Sequence, residues 1–582
     1  MPPDQHDQDG NDTAPLLGSK TAQPVEQATD AAAEEAQRQQ AEGYGTLTSN
    51  EPASSADTDA LERQDSLQAR EAQIEGMAEV RKRFAYIFPA VAIGVYLGAA
   101  DQTIIVSTYG KIGTDLDALN LTSWIATAYF LTTTSFQPLY GKLSDIFGRK
   151  SCLLIAYLIF GLGCVLCGLA QNMGQLIAAR ALAGIGGGGM PVVLSILLSD
   201  IIPLRERGTW QGYINIVFAL GSGSGAPLGG ILADSIGWRW AFLAQGPLCL
   251  IAFLAVLFTL HIPRKDDTDW KEKLRRVDFL GAVFLIGAVF TLLLALDRGG
   301  NVGWKATITL ANLGASILLF LIFFYVERKV AKEPFAPGRI IFNRNLVACY
   351  TCYFFSNAAY LATLFYIPLY LQAVQDLSAA AAGYRLIPGI VGSVSGSLFG
   401  GFYIKKTGKL YWVTLTCFIV NFIAMIAIDL VTGLVISSIP LLIVSLTILG
   451  FTIGLTVTTL LISIISTAPP ADQAIATACS YLFRSLGAVF GISLSATAAN
   501  QALRNALAAS LPQLGLKPAR ALEIAERVRL SLEYLKVLEP RVRQVVVECY
   551  AQSSRVAFWV QTGLLVGAVV GGWFVKEKAL SA

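Results

Sequence analysis

The feature that most constrains this chain is a series of apolar stretches, each about twenty residues long, that recur from residue 84 onwards. Such a stretch is long enough for a helix to cross a hydrocarbon core about 30 Å thick, where a helix satisfies its own backbone hydrogen bonds. About fourteen spans are predicted, at 84–107, 122–141, 151–170, 176–199, 209–233, 240–260, 278–297, 306–326, 346–372, 380–403, 410–431, 438–463, 473–499 and 556–575. The chain is therefore predicted to be an all-α membrane protein.

Composition agrees with lipid as the solvent of most of the chain. Of its 582 residues, 54% are hydrophobic and 15% are charged, whereas about a quarter are charged in soluble domains. The formal net charge of +3 is too small for a nucleic-acid-binding protein, which needs a concentrated basic face to neutralise phosphates. We therefore expect a lipid bilayer, and no nucleic acid, as a partner.

The sequence offers little for catalysis or for metal binding. Its two CxxC pairs, Cys164 with Cys167 and Cys349 with Cys352, lie in apolar runs without a nearby histidine. A GxxxxGKS or GxxxxGKT loop for nucleotide phosphates is absent, and no nucleophile has an evident base. We expect no enzyme activity, no cofactor and no metal.

Residues 1–80 are polar and almost free of aromatic side chains, which predicts a disordered tail. Two short strings in it resemble sorting signals that clathrin-adaptor complexes read as extended peptides. They are Asp12 with Leu16 and Leu17, of acidic dileucine spacing, and Tyr44 with Leu47, of tyrosine-based spacing. An uninformative linker is the alternative interpretation of both.

Lysine and arginine collect on alternate connections between the spans, as they do on the cytosolic side of membranes. With a cytosolic tail, that side carries clusters such as Lys142, Arg149, Lys150, Lys405, Lys406 and Lys409. An even number of spans then places the long, mildly basic loop at 500–555 in the lumen. Long loops translocate largely regardless of their charge, so this assignment is kept.

The connection after the second span has a specific pattern, because Gly141, Asp145, Gly148 and Arg149 follow the spacing GxLxDxxGRK. The glycines permit close helix approach and a tight turn, while the acid and the base are spaced to pair. The pattern resembles the signature of the major facilitator superfamily. The resemblance implies that these four residues are a conformational latch between two halves, and an ordinary solvated turn is the alternative. A weaker echo runs from Gly401 to Gly408.

Two further strings resemble motifs of the same superfamily. Arg180 opens a string in the fourth span that is similar to the family's intramembrane arginine motif. The fifth span resembles the antiporter glycine motif, with Ala226 where the family usually has proline. The residues concerned are Gly221, Gly225, Pro227, Gly229 and Gly230. Plain helix packing is the alternative role of these glycines.

Other strings resemble one branch of the superfamily, the fourteen-span drug:proton antiporters. They begin at Asp101, Trp238, Tyr366 and Tyr550. With its polar tail, the chain most resembles fungal vacuolar basic amino acid transporters. The resemblance implies the major facilitator fold, with an N-terminal six-helix bundle at 81–260, an inserted helix pair with linkers at 261–345, and a C-terminal six-helix bundle at 346–582.

Charged residues inside spans are candidates for transport because they are costly in lipid. We expect Asp101 to take a proton or a substrate cation, and Arg180 to tune its protonation or to hold the halves together. A helix-end position in interfacial water is the alternative for Asp101, and Asp429 and Arg484 are weaker candidates. A substrate cavity is predicted from Tyr129, Gln137, Asn215, Asn357, Tyr360 and Asn421. Hydrogen bonds between helices are the alternative for these residues.

These observations predict a secondary transporter that works by alternating access with protons and a small-molecule substrate. The subfamily resemblance implies antiport of basic amino acids into the vacuole, with the protein in the vacuolar membrane. A multidrug or toxic-compound exporter at the plasma membrane is the first alternative. A non-transporting membrane sensor is the second.

Overall fold

The computed structural model describes residues 87–576, except for 106, 109–110, 114, 117–122, 262–270, 273–276, 302, 331–337, 378, 433–436, 515–519, 521, 525–526, 529–533 and 536. The predicted tail at 1–80 and its two sorting strings lie outside the described residues. Over the described ranges the regular structure is helical, apart from one isolated bridge between Thr432 and Ser437. The predicted all-α fold class is confirmed.

Fourteen long helices, labelled α1 to α14, follow one another along the described chain. Their bounds are Ile87–Ile105, Ser123–Phe147, Arg149–Leu169, Met173–Ile201, Leu204–Ser235, Trp238–Thr259, Phe279–Asn301, Thr307–Lys329, Arg344–Ala373, Ile387–Thr407, Tyr411–Val431, Ile439–Thr467, Gln473–Ser510 and Pro540–Trp573. The sixth bends at Ala244, between its segments Trp238–Leu243 and Gln245–Thr259. Short helices at Gly338–Ile341 and Ala379–Tyr384 precede α9 and α10.

Thirteen of these helices are both long enough and apolar enough to cross a membrane, within the described ranges. The exception is α2, which has 25 residues but a more polar sequence. Its hydroxyl groups face protein rather than lipid: Thr133 donates to the carbonyl of Gly184 and Ser135 to that of Leu131. The predicted number of about fourteen is therefore reached only when α2, packed between α4 and α13, is counted.

The largest difference from the predicted boundaries is at 500–555. There α13 continues to Ser510 and α14 begins at Pro540, so these two helices take up about half of the predicted loop, and the predicted last span at 556–575 starts earlier. At 1.5 Å per residue, these helices of 38 and 34 residues are about 57 and 51 Å long, well beyond a bilayer core. Their extended ends pack around an apolar cluster that includes Leu507, Val528 and Val546.

Helices α1–α6 and α9–α14 form two bundles that meet in two places. In the first bundle α4 packs on α2 and α3, and in the second α9 packs on α13 and α14 while α10 packs on α12. The bundles meet where α2 lies against α13 and where α5 lies against α10. Within the first bundle, a glycine allows α4 to approach α2 closely, because a Cβ placed on Gly184 would lie 2.4 Å from the carbonyl oxygen of Tyr129.

Helices α7 and α8 pack on each other beside the seam between the bundles. Of the two, α7 contacts both α2 and α13. The Trp304 indole donates to the Thr497 hydroxyl at 2.9 Å, and the Ser493 hydroxyl donates to the carbonyl of Leu296. The pair predicted as an insertion is thus seated against one helix of each bundle.

Candidate functional site

The first predicted site residue, Asp101, forms an ion pair inside the first bundle. Arg180 Nη1 lies 2.8 Å from Asp101 Oδ1 and 2.6 Å from Oδ2. The acid is 0% exposed and the arginine 1%. The Asp101 side chain is thus enclosed by protein, four residues before the end of α1 at Ile105. Because Arg180 contacts both carboxylate oxygens, a proton or a substrate cation that binds Asp101 competes with Arg180 for the carboxylate.

Four helices of one bundle surround the ion pair. Arg180 on α4 donates through Nε to the carbonyl of Ile125 at 3.2 Å, and its guanidinium lies 4.4 Å from the centre of the Tyr129 ring. Gln245 on α6 donates to Asp101 Oδ1 at 3.3 Å. All these partners belong to the first bundle, so in this structure Arg180 joins helices of one half.

Burial makes the pair costly to break. Two buried opposite charges stabilise each other. Removing one partner from such a pair typically costs about 3–5 kcal/mol of stability, because the other charge then stays buried without its counter-charge. Gln245, which sequence reasoning missed, adds a hydrogen bond to the carboxylate and another to the carbonyl of Ala241 at 3.0 Å. A glutamine within an otherwise apolar span was the signal available in the sequence.

The antiporter glycines of α5 pack against α1, the helix that carries Asp101. A Cβ on Gly221 would lie 2.5 Å from the carbonyl oxygen of Tyr96, and one on Gly225 would lie 2.3 Å from that of Ala100. For Gly229 the distance to the Ile104 carbonyl oxygen would be 3.0 Å. These three glycines therefore set the spacing between α1 and α5 on both sides of Asp101.

The other two residues of that motif have a different setting. A Cβ on Gly230 would come no closer than 3.7 Å to Ser107, which is ordinary contact. Pro227 lies within α5, which continues as one helix to Ser235. The close packing thus rests on the glycines at four-residue spacing.

The connection between α2 and α3 has the charge pair that its spacing predicts. Arg149 lies 2.6 Å from Asp145 and 2.7 Å from Asp200, and it donates to the Ser144 hydroxyl at 3.0 Å. Gly148 has φ +88°, which favours glycine. Asp200, at the end of α4, was missed because nothing in the local spacing indicates that α4 returns to this corner.

Gly141 in the same motif lies on the contact between the bundles. A Cβ there would be 2.7 Å from the Cβ of Ala478 on α13. The weaker echo occupies the matching place on the other contact, where a Cβ on Gly401 would lie 2.4 Å from the carbonyl carbon of Gly208 on α5. Lys405 stands where the acid would be and lies 3.4 Å from Glu206. The bundles therefore touch closely at the end of the molecule that carries both motifs.

Two of the predicted cavity residues form hydrogen bonds between the bundles. Asn215 on α5 donates to the Ser397 hydroxyl on α10 at 2.6 Å. Ser485 on α13 donates to Gln137 on α2 at 3.1 Å. For these two residues the alternative interpretation, a hydrogen bond between helices, describes the geometry.

The remaining predicted polar residues lie elsewhere in the molecule. Asn357 donates to the carbonyl of Tyr353 in its own helix at 2.9 Å, and Tyr360 shares a hydrogen bond with Ser393. Asn421 is 1% exposed and faces the interior of the second bundle. The structure therefore brings Tyr129 to the ion pair but does not gather the six residues around one cavity.

The two weaker candidates also lie in the second bundle. Asp429 is 1% exposed and accepts a hydrogen bond from Thr562 at 2.7 Å. The Arg484 guanidinium lies 5.3 Å from the centre of the Tyr481 ring and 5.8 Å from that of Tyr353, within cation–π range. Only Asp429 is a buried acid of a spanning helix in the described part of this bundle.

Comparison with known proteins agrees with the helical transporter fold described above. The family model described as Major Facilitator Superfamily matches residues 91–492. Among solved structures, the human organic anion transporter MFSD10 is similar in fold, with a TM-score of 0.56, 13% identity and coverage of 85% of this chain and 99% of that one.

Three curated fungal proteins are similar over most of their length. The vacuolar membrane amino acid uptake transporter fnx2 of Schizosaccharomyces pombe is 39% identical over 514 residues, 85% of this chain and 84% of the relative. The multidrug resistance protein fnx1 of the same yeast is 35% identical, over 84% and 91%. The vacuolar basic amino acid transporter 2 of Saccharomyces cerevisiae is 31% identical, over 76% and 95%.

Proposed function

This chain belongs to the Major Facilitator Superfamily, and we propose that it moves basic amino acids into the vacuole in exchange for protons. Membership makes it a multi-pass membrane transporter of small molecules. The proposal of substrate and location is supported by the similarity to fnx2 and to the vacuolar basic amino acid transporter 2. The proposal of coupling depends on the Asp101–Arg180 pair.

The observation that carries the proposal is that Asp101 already binds a guanidinium within a buried part of the first bundle. A carboxylate in such a place attracts a proton or another cation, such as the side chain of lysine or arginine. Competition between proton and substrate cation at one acid is a physical basis for antiport. In this scheme Arg180 neutralises the charge of Asp101 when neither a proton nor a substrate cation is bound to the carboxylate.

The proposed conformational cycle uses the end of the molecule where the bundles touch. In the structure, Gly141 packs on α13 and Gly401 packs on α5 at this end. Alternating access requires these contacts to open, so ion pairs at this end bias the equilibrium between the two states. We propose that Asp145 and Arg149, with Asp200, are the latch that does so.

The coupling prediction is tested by lysine uptake into isolated vacuoles under an imposed proton gradient. Asp101→Asn alone leaves Arg180 buried without its counter-charge, so the informative variant combines Asp101→Asn with Arg180→Gln. This double variant is expected to reach the membrane in near wild-type amount and to lose gradient-driven uptake. Asp101→Glu, which keeps the charge but moves it, is expected to retain partial uptake. Gradient-driven accumulation of lysine by the double variant would show that Asp101 is not the coupling group.

Export of drugs at the plasma membrane is the second candidate function, because fnx1, a multidrug resistance protein, is 35% identical. A wild-type protein that moves no basic amino acid in vacuoles but extrudes a toxic compound from cells would favour it. A protein that moves neither, yet changes a cellular response when it is deleted, would favour the non-transporting sensor.

A further inference from the structure

A second buried acid, Asp429, lies in the second bundle. It is two residues from the end of α11 that is farther from the Gly141 and Gly401 contacts, and it is 1% exposed. Thr562 on α14 donates to Asp429 Oδ2 at 2.7 Å. In the part of the chain that the structure describes, Oδ1 has no hydrogen-bond partner. Thr562 therefore fixes one oxygen and leaves the other available.

Asp429 differs from Asp101 in its electrostatic surroundings. Asp101 has a guanidinium on both oxygens, whereas the described residues include no ion pair to Asp429. A buried carboxylate without a cation is destabilised by the loss of its hydration, and a proton removes that penalty. The geometry thus suits a carboxyl group that holds a proton while it is sealed between α11 and α14.

The neighbouring helices bring few charges to this acid. α11 packs against α12 and α14, and the sequence of α12 contains no Asp, Glu, Lys or Arg. On α14, Arg555 is seven residues before Thr562, about two helical turns away, and donates to the carbonyl of Ala551. In the corresponding half of α9 the titratable groups are the tyrosines at 360, 366 and 370. Neither α9 nor α12 therefore provides a cation at this level.

Buried polar side chains of α9, α11 and α14 lie near Asp429, towards the middle of the bundle. Asn421, Met425 and Asp429 are spaced by four along α11, which places them on one side of the helix. Thr363 on α9 lies 3.5 Å from the Met425 sulfur and donates to Gln561 Oε1 at 2.8 Å. In the described ranges, Gln561 Nε2 and Asn421 Oδ1 have no hydrogen-bond partner. The acid thus lies on the same side of α11 as Asn421, and its partner Thr562 is next to Gln561 in the sequence.

The two bundles share one feature of this arrangement and differ in another. In both, a glutamine on the last helix bonds a polar residue on the first: Gln245 with Asp101, and Gln561 with Thr363. In the second bundle that polar residue is neutral, and the acid is Asp429 on α11 instead. The second bundle therefore has its own ionisable group, without an arginine partner like Arg180.

We propose that Asp429 is a second proton-binding site of this transporter, separate from Asp101. Asp429 holds a proton while α11 and α14 are packed together, and it releases the proton when that end of α11 meets water. The role of Asp429 in transport rests on the proposed proton coupling. Proton binding itself does not depend on which substrate is carried. Thr562 is a positioning residue, because it orients the carboxyl group through one hydrogen bond.

The first test measures proton binding without substrate. Infrared difference spectra of the purified full-length chain, recorded across a pH step, report the C=O stretch of a protonated carboxyl group. We expect a band that is lost in Asp429→Asn, is retained when Asp101→Asn is combined with Arg180→Gln, and is shifted in Thr562→Val. Thr562→Ser, which keeps the hydroxyl, is the matched control and should leave the band in place. A wild-type spectrum without such a band, or one unchanged by Asp429→Asn, overturns the inference.

The second test measures transport in liposomes that contain the full-length chain. With about one pH unit across the membrane, each coupled proton supports about tenfold accumulation. Asp429→Asn is expected to lower lysine accumulation by about this factor and to change lysine exchange at equal pH by less than about twofold. Wild-type uptake that ignores the gradient overturns the proposed function. Gradient-driven wild-type uptake that is unchanged in Asp429→Asn overturns the role of this acid in transport alone.

Discussion

At the scale of single residues, the predicted charge pair between α2 and α3 is a group of three charged side chains. Arg149 has two carboxylate partners, Asp145 at 2.6 Å and Asp200 at 2.7 Å. Asp145→Asn removes one of these ion pairs, whereas Arg149→Ala removes both. The structure therefore ranks two substitutions that the sequence alone treats as equivalent.

This ranking leads to a prediction for the proposed latch. We expect Arg149→Ala to lower the transport rate more than Asp145→Asn, with membrane insertion intact in both, because the lost pairs change the balance of conformational states rather than substrate contact. Initial rates of uptake, normalised to protein in the membrane, measure the effect. Arg149→Lys, which keeps the charge but not the forked geometry, is the control and should fall between wild type and Arg149→Ala. Wild-type rates in Arg149→Ala would exclude the latch role.

At the scale of helices, α13 and α14 carry a structured region beyond the length of a membrane span. The hydrophobic residues Leu503, Leu507, Val542 and Val546 recur at four-residue spacing and meet in one cluster. Arg543 on α14 also forms an ion pair with Asp376, at 2.8 Å, in the segment after α9. About half of the region that hydropathy predicts to be a loop is therefore an extension of two helices.

The side of the membrane on which this region lies is testable. If α2 spans, as its position between α4 and α13 indicates, the number of spans before the region is odd and the region lies opposite the tail. An N-glycosylation acceptor introduced near Leu514 is then expected to be modified, with a mass shift that endoglycosidase removes. The same acceptor placed near Lys271, on the predicted cytosolic side, is the matched control. An unmodified product at Leu514 with a folded protein would mean that one predicted span does not cross.

At the scale of the whole molecule, location and transport are separate properties of the chain. The family makes the chain a membrane transporter, whereas we propose that its address depends on the two sorting strings predicted in residues 1–80. We expect Leu16→Ala with Leu17→Ala to send part of a tagged protein to the cell surface, since adaptor recognition of a dileucine needs both apolar side chains. Tyr44→Ala tests the second string, and Leu61→Ala, outside both strings, is the control. Unchanged vacuolar residence of the dileucine variant would discard that string.

The sequence by itself determined the properties that depend on local composition and short spacing. Apolar stretches of membrane length indicated the helices, and the interval from Gly141 to Arg149 indicated a tight turn with a charge pair. The resemblance to the superfamily, carried by the same motifs, indicated the fold class, which the structure and the family match confirm.

The tertiary structure alone decided which distant side chains meet. Arg180 lies 79 positions from Asp101, Asn215 lies 182 from Ser397, and Asp429 lies 133 from Thr562. Hydropathy states that a helix lies in the membrane, but not which neighbour it packs against or how it is rotated. For that reason six polar residues were predicted from the sequence to line one cavity. In the structure one of them lies at the ion pair, two form contacts between the bundles, and three lie in the second bundle.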